Sequence, residues 1–361
     1  MKKFLALIVI IALVFTLAAC AGGKDSYDIA LVTDIGNIDD KSFNEGAWNG
    51  VKEYAEANKI TFAYYRPSED STASRVDTIK SAIEKGAKTV VCPGYLFEEA
   101  LFEVQATYPN VQFLLLDGQP HNADYTVYKT GNNVHSILYQ EEQAGYLAGY
   151  AAVMDGYTKL GFLGGKAVPA VVRYGFGYIQ GAEAAGLAKG MSAGSIEIKY
   201  WYCGGFAPTD DIMNKMAGWY TDGTEVVFAC GGGIYLSATA AAEAAGAKVI
   251  GVDKDQYAMT KNATIITSAM KDLTTSVKLA LTSLYANKGK WDDSYAGKTA
   301  ILGAKDNCVG LPTAKDSWRL ATWTVAEYET LFGQLKDGSL VVSNSISDQP
   351  TVSICAVDYQ E

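Results

Sequence analysis

Val90-Val91-Cys92-Pro93-Gly94, a helical stretch, then Phe113-Leu114-Leu115-Leu116-Asp117 is an order that returns later in the chain. It comes back as Val227-Phe228-Ala229-Cys230-Gly231, a helical stretch, then Val249-Ile250-Gly251-Val252-Asp253. The cysteine-to-aspartate separations are 25 and 23 residues. Before its closing Gly or Asp each run is almost wholly apolar, and such runs alternating with helical stretches are the pattern of parallel α/β sheets. Two copies imply a duplicated α/β lobe and not a solenoid. Two generic βαβ units would produce a similar likeness, so duplication is an expectation for the structure to decide.

Outward from these runs, short β-branched stretches alternate with amphipathic ones, which predicts two parallel α/β sheets. Asp28 to Thr33 reads as a strand, and Ser42-Phe43-Asn44-Glu45 has the S-x-x-E spacing of a helix capping box. Ile60 to Tyr65 is the next strand and Thr72 to Lys85 the next helix, stopped at Gly86. The second half opens with a helix near Ile137 to Met154, followed by a strand from Lys159 to Leu163 and a helix near Ala170 to Leu187. Residues 28–130 with about 265–297 are expected to form one Rossmann-like lobe, and 131–264 with about 298–361 the other. No Pro/Ser-rich linker separates them, which suits several short hinge crossings.

About half of the 361 residues are apolar (49%) and 19% are charged, enough for two cores. Lys and Arg number 30 against 40 Asp and Glu, so the chain lacks the basic surface that nucleic acid requires. Four arginines (Arg66, Arg75, Arg173, Arg319) rule out a large phosphate clamp, and two histidines (His121, His135) leave little for His-based metal or triad chemistry. No CxxC pair occurs, so neither a zinc site nor a disulfide framework is expected.

Lys2 and Lys3 precede an apolar run from Phe4 to Ala19, the mark of a secretory leader spanning residues 1–19. Leu17-Ala18-Ala19-Cys20 resembles a bacterial lipobox. That resemblance implies cleavage before Cys20, acylation of Cys20 and attachment to a membrane, with residues 20–27 as a flexible tether. A single membrane-spanning helix is the alternative.

In facing parallel sheets, ligands sit beyond the carboxyl ends of the strands. Asp34, Gly94, Asp117, Gly164, Gly165, Gly205, Gly232 and Asp253 fall there, with Phe43 and Phe206 beside them. A flat, uncharged ligand between two rings, gripped at its rim by carboxylates, accounts for that set. Each residue also has a local reading: an aspartate at a strand end caps helices, Phe43 anchors its own helix, and Lys271 ahead of a helix is usually solvated. Catalytic motifs fail. Gly231-Gly232-Gly233 lacks the third fingerprint glycine, Gly175-Phe176-Gly177 reaches Gly181 one residue late, and no G-x-S-x-G or H-E-x-x-H occurs. No catalytic residue and no cofactor are expected.

Val32-Thr33-Asp34-Ile35-Gly36-Asn37-Ile38-Asp39-Asp40-Lys41-Ser42-Phe43-Asn44-Glu45-Gly46 resembles the opening motif of the basic membrane protein family, bacterial surface lipoproteins that include purine nucleoside receptors. Glu141-Glu142-Gln143-Ala144-Gly145-Tyr146-Leu147-Ala148-Gly149, Leu160 to Gly165 and Ile250 to Gln256 extend the likeness over most of the chain. The resemblance implies a type I periplasmic-binding-protein fold that delivers purine nucleosides to the permease and ATPase subunits of an ABC importer. It implies an aromatic clamp at Phe43 and Phe206, and base-facing groups at Asp34, Asn44 and Asp117. It further implies ribose-facing groups at Asp253 and Lys271, with backbone contact at Gly232. A sugar or other small polar ligand, a nucleoside-processing enzyme with paired aspartates, and a surface antigen without a small ligand are the alternatives.

Overall fold

The computed structural model describes residues 26–361. The leader, Cys20 and most of the tether therefore lie outside the described residues. The chain runs β1 (Ile29–Val32), α1 (Phe43–Asn58), β2 (Phe62–Tyr65), α2 (Thr72–Glu84), β3 (Thr89–Pro93), α3 (Glu98–Val104), β4 (Gln112–Leu116) and β5 (Val134–Tyr139). It continues through α4 (Glu141–Met154), β6 (Lys159–Gly164), α5 (Pro169–Ala188), β7 (Ile196–Tyr202), α6 (Asp210–Thr221) and β8 (Val226–Cys230). Then come α7 (Tyr235–Ala245), β9 (Lys248–Asp253), α8 (Gln256–Thr260), β10 (Ile265–Lys271) and α9 (Leu273–Ala286). The last elements are β11 (Lys298–Leu302), β12 (Val309–Gly310), α10 (Val325–Asp337) and β13 (Cys355–Gln360).

These strands make two sheets, ordered β11-β5-β4-β3-β1-β2 and β12-β10-β9-β8-β6-β7-β13. All pairs are parallel except β10 with β12. Every residue of β1, β3, β4 and β8 is buried. In β1, Ile29 and Leu31 join one apolar cluster while Ala30 and Val32 join another on the opposite face. This is the physical basis of the unbroken apolar runs: each strand faces helices on both sides.

Strand pairing moves the expected lobe boundaries. Residues 134–139, read as the second lobe and partly as helix, are a strand of the first sheet, where Val134 pairs with Phe113 and Tyr139 with Leu302. Residues 298–302 likewise belong to the first sheet. Residues 265–271 belong to the second, beside β9. The rest of the 265–297 segment packs on the first lobe: α9 lies against α1, whose Gly46 and Gly50 lie over Leu273 and Val277, and Trp291 and Tyr295 bond or pack on Gln112, Phe113 and His135. The chain thus crosses between lobes at Gln140, at Asp272 and through residues 303–308. Ladder hydrogen bonds decide these memberships, and local propensity does not encode them.

The duplicated motif is present in the backbone. After β3, Gly94 takes φ 116° and a 3₁₀ turn at Tyr95–Phe97 leads into α3; after β8, Gly231 takes φ 150° and a 3₁₀ turn at Gly232–Ile234 leads into α7. Asp117 and Asp253, ending the second strand of each copy, both adopt the left-handed region, at φ 58° and 64°. A non-glycine residue held there costs about 1–3 kcal/mol and is kept where the surroundings require its direction.

One local expectation fails at α1. Ser42 makes no side-chain cap. Instead the Asp40 carboxylate accepts from the backbone amides of Ser42 (2.9 Å), Asn44 (3.0 Å) and Glu45 (3.0 Å). Helices α4 and α5, in contrast, meet through glycines. A Cβ on Gly145 or Gly149 would overlap the carbonyls of Tyr174 or Tyr178, and one on Gly177 or Gly181 those of Glu142 or Tyr146. Gly177 and Gly181 of the failed Gly175-Phe176-Gly177…Gly181 motif therefore serve helix packing.

Candidate functional site

The carboxyl ends of both sets of strands open on one cavity of about 750 Å³, within the range of small-molecule sites. Asp34, Phe43, Asn44, Asp117, Phe206, Gly232, Asp253 and Lys271 all stand on its wall. Phe43 comes from the first turn of α1, and Phe206 from the loop between β7 and α6. The Phe206 ring lies on the bare backbones of Gly165 and Gly231, where a Cβ on Gly165 would collide with it and one on Gly231 would crowd it at 3.0 Å. Its carbonyl accepts from the Gly233 amide at 2.8 Å, which ties the loop to the turn at Gly232. Among the described residues neither Phe43 nor Phe206 stacks on another ring.

Asp34 and Asn44 hold each other. Asp34 Oδ1 accepts from the amides of Ile35 and Gly36, both at 2.6 Å, and from Asn44 Nδ2 at 3.0 Å. Asp34 caps no helix: one oxygen turns the chain at Ile35 and Gly36, and the side chain stands on the cavity wall.

Lys271 is not a solvated charge. Its side chain is 2% exposed, and Nζ donates to Asp117 Oδ2 at 2.6 Å and Glu141 Oε1 at 3.1 Å. The same ammonium lies 4.9 Å from the Phe43 ring centre, 5.0 Å from Tyr139 and 5.6 Å from Tyr174. Burial works against its charge, but Asp117, Glu141 and Asp253 outweigh it and raise its pKa. Glu141 also accepts from Arg173 Nε at 2.6 Å. Burial alone would raise the Glu141 carboxyl, yet Lys271 and Arg173 hold it below the usual range. Asp117 Oδ1 is buried and has no hydrogen-bond partner among the described residues.

The sequence reading missed Glu141, Arg173 and Tyr174 as parts of this centre. Glu141 opens a quoted family motif, and Arg173 and Tyr174 sit in a stretch rich in glycine and aromatics; those were the available signals. It also missed the cavity mouth, where Lys166 of the second lobe pairs with Asp70 of the first and the nearly buried Arg75 holds Asp70 from behind. All three cations on the wall are engaged: Lys166 by Asp70, Lys271 by Asp117 and Glu141, and Arg66 by Ile35 O and Asn37. Six aspartates line the same wall (34, 39, 40, 70, 117 and 253). Phosphorylated ligands are disfavoured there.

Burial lifts Asp40 to about 6, and Asp117, Glu98 and Glu142 to about 7 each. Their unfolded values lie near 4, so between pH ~5 and ~7, above the range in which carboxylates held low such as Glu141, Asp70 and Glu183 titrate, these groups bind more protons in the folded protein than in the unfolded chain and stability falls as pH rises. His135, lowered by burial, acts oppositely below about pH 6.5 but is one group against four. The melting temperature of ligand-free protein should therefore drop between pH ~5.5 and ~7.5. A flat or rising profile by differential scanning fluorimetry would contradict this.

A model of the family described as ABC transporter substrate-binding protein PnrA-like matches residues 28–329. The chain belongs to this PnrA-like family. Basic membrane protein A1 of Borrelia garinii subsp. bavariensis is 30% identical over 315 residues, covering 86% of this chain and 87% of the relative. The ABC transporter nucleoside-binding protein BmpA of Lactococcus lactis subsp. cremoris is 27% identical over 310 residues, covering 77% and 84%. An ABC transporter solute-binding protein of Aeropyrum pernix K1 superposes with TM-score 0.74 at 20% identity over 89% of this chain and 94% of its own. That likeness is one of fold, the type I periplasmic-binding-protein architecture. The PnrA-like chain is accordingly an extracytoplasmic substrate-binding component of an ABC transporter and not an enzyme. Among the described residues no helix is long and apolar enough to cross a membrane.

Proposed function

We propose that this PnrA-like protein captures purine nucleosides between its lobes and passes them to the permease and ATPase of its importer. The observation that carries the reading is the pair of unstacked rings, Phe43 and Phe206, supplied by opposite lobes to one cavity wall. A heterocycle seated between them gains stacking on both faces. Asp34, Asn44 and Asp117 offer acceptors and an amide to the base edge, and Asp253, Lys271 and the Gly232 backbone meet the ribose. A neutral ligand also suits a wall whose cations are already paired. The Lactococcus relative, named for nucleoside binding, supports the same class. Cys20, once acylated, holds the protein at the membrane beside the importer.

A thermal-shift screen with adenosine, guanosine, inosine, cytidine, ribose and AMP tests the reading. Purine nucleosides should raise the melting temperature, while ribose and AMP should leave it unchanged. Phe206→Ala removes one stacking face and should weaken purine nucleoside binding by about 1–3 kcal/mol, roughly 5- to 150-fold, without unfolding the protein. A response to ribose equal to that for guanosine would sink the stacking argument.

A further inference from the structure

The three carboxylates that face the cavity from strand ends are held differently. Asp34 is fixed by amides of its own lobe, and Asp117 by Lys271. Asp253 has no such support from the second lobe. Among the described residues the one hydrogen bond to its carboxylate comes from Ser42 of the first lobe, whose Oγ donates to Oδ2 at 2.5 Å. Ser42 is fully buried and immediately precedes Phe43. Its hydroxyl is free for this role because Asp40 caps α1 in its place.

Two neighbouring contacts bring the same loops together. Gln256 Nε2 donates to the Lys41 carbonyl at 3.3 Å, and Lys254 pairs with Glu45 at 3.5 Å. We propose that Ser42 is a positioning residue that orients Asp253 toward the ligand's hydroxyls only when the lobes close. The inference rests on the nucleoside reading above and deepens it. With Oδ2 occupied by Ser42, Oδ1 is left for the ligand, since no described residue donates to it. When the lobes part, the carboxylate loses its one partner and its direction. A single closing movement then sets the Phe43 ring against the base and the Asp253 carboxylate against the ribose, so preorganisation for the sugar depends on closure.

Calorimetric titration of the full chain with guanosine and with 2′,3′-dideoxyguanosine tests this. Ser42→Ala should weaken guanosine binding about ten-fold or more, the scale of a lost hydrogen bond to a charged group. Dideoxyguanosine, which offers Asp253 no ring hydroxyl, should change by less than roughly two-fold, and in an Asp253→Asn background Ser42→Ala should add nothing further. The ligand-free melting temperature should hold, since Ser42 caps nothing. Equal losses for both nucleosides would mean a merely structural role and overturn the inference, as would undiminished guanosine binding by Ser42→Ala. Failure of the unsubstituted protein to bind guanosine would overturn the nucleoside reading and the inference together.

Discussion

Lys271→Met is expected to lower the unfolding free energy by about 3–5 kcal/mol, because it removes the one cation bonded to the buried Asp117 carboxylate and one of the two bonded to Glu141. The ammonium, 2% exposed, bonds Asp117 at 2.6 Å and Glu141 at 3.1 Å, and Asp253 also acts on it. Without it, only Arg173 faces these carboxylates, and Arg173 already bonds Glu141. Burial would then drive Asp117 further toward its neutral form and begin to push Glu141 the same way. The deficit is consequently smallest near pH 5 and grows toward pH 8, as ionisation in the unfolded chain pulls against the folded state. Equilibrium urea unfolding at both pH values measures it. A loss below about 1 kcal/mol, the level of an exposed ion pair, would show that water enters this centre. The same substitution should abolish ligand binding, since Asp117 in the first lobe and Lys271 at the second crossing together set the floor of the cavity.

Gly181→Ala should cost more than the usual 1–3 kcal/mol of an overpacked core. A methyl group there would overlap the backbone carbonyl of Tyr146, and carbonyls cannot rotate aside as a side chain can. Gly145, Gly149 and Gly177 meet the facing helix in the same way, so α4 and α5 would have to separate along their contact. That contact buries Tyr178, Ala182, Ala148 and Ala152, each with no exposed surface. Gly218→Ala is the matched control. It lies in the last turn of α6, exposed and with nothing within 4 Å of an added Cβ. There the methyl group should stabilise by about 0.5–1 kcal/mol through helix propensity. Thermal unfolding of the two variants should therefore move in opposite directions. A Gly181→Ala protein within a degree or two of the parent would contradict the close helix approach.

The apolar runs around Cys92 and Cys230 were legible because a strand buried on both faces must be apolar at every position. Strand-end aspartates and glycines were legible as a group for a similar reason: ligand-facing residues recur at the same place in each copy. The second use of each residue was not. Glu141 reads as the start of a helix, and nothing local reveals that it joins Lys271 to Arg173 across 130 and 32 residues. Ser42 carried a capping signature, yet its side chain caps nothing and bonds a residue 211 positions away. Gly177 and Gly181 invited a nucleotide motif, whereas their neighbours are backbone carbonyls of another helix.

Patterning along the chain alone determined that there are two α/β lobes, that each repeats a strand–helix–strand unit, and that acidic and aromatic side chains gather at strand ends. Those properties follow from burial and backbone preference, which act over a few residues. Tertiary structure alone decided which sheet holds 134–139, 265–271 and 298–302, which cation neutralises which carboxylate, and which hydroxyl reaches Asp253. Ladder bonds and buried charge pairs join groups far apart in the chain, and their energies depend on distances that only the folded arrangement defines.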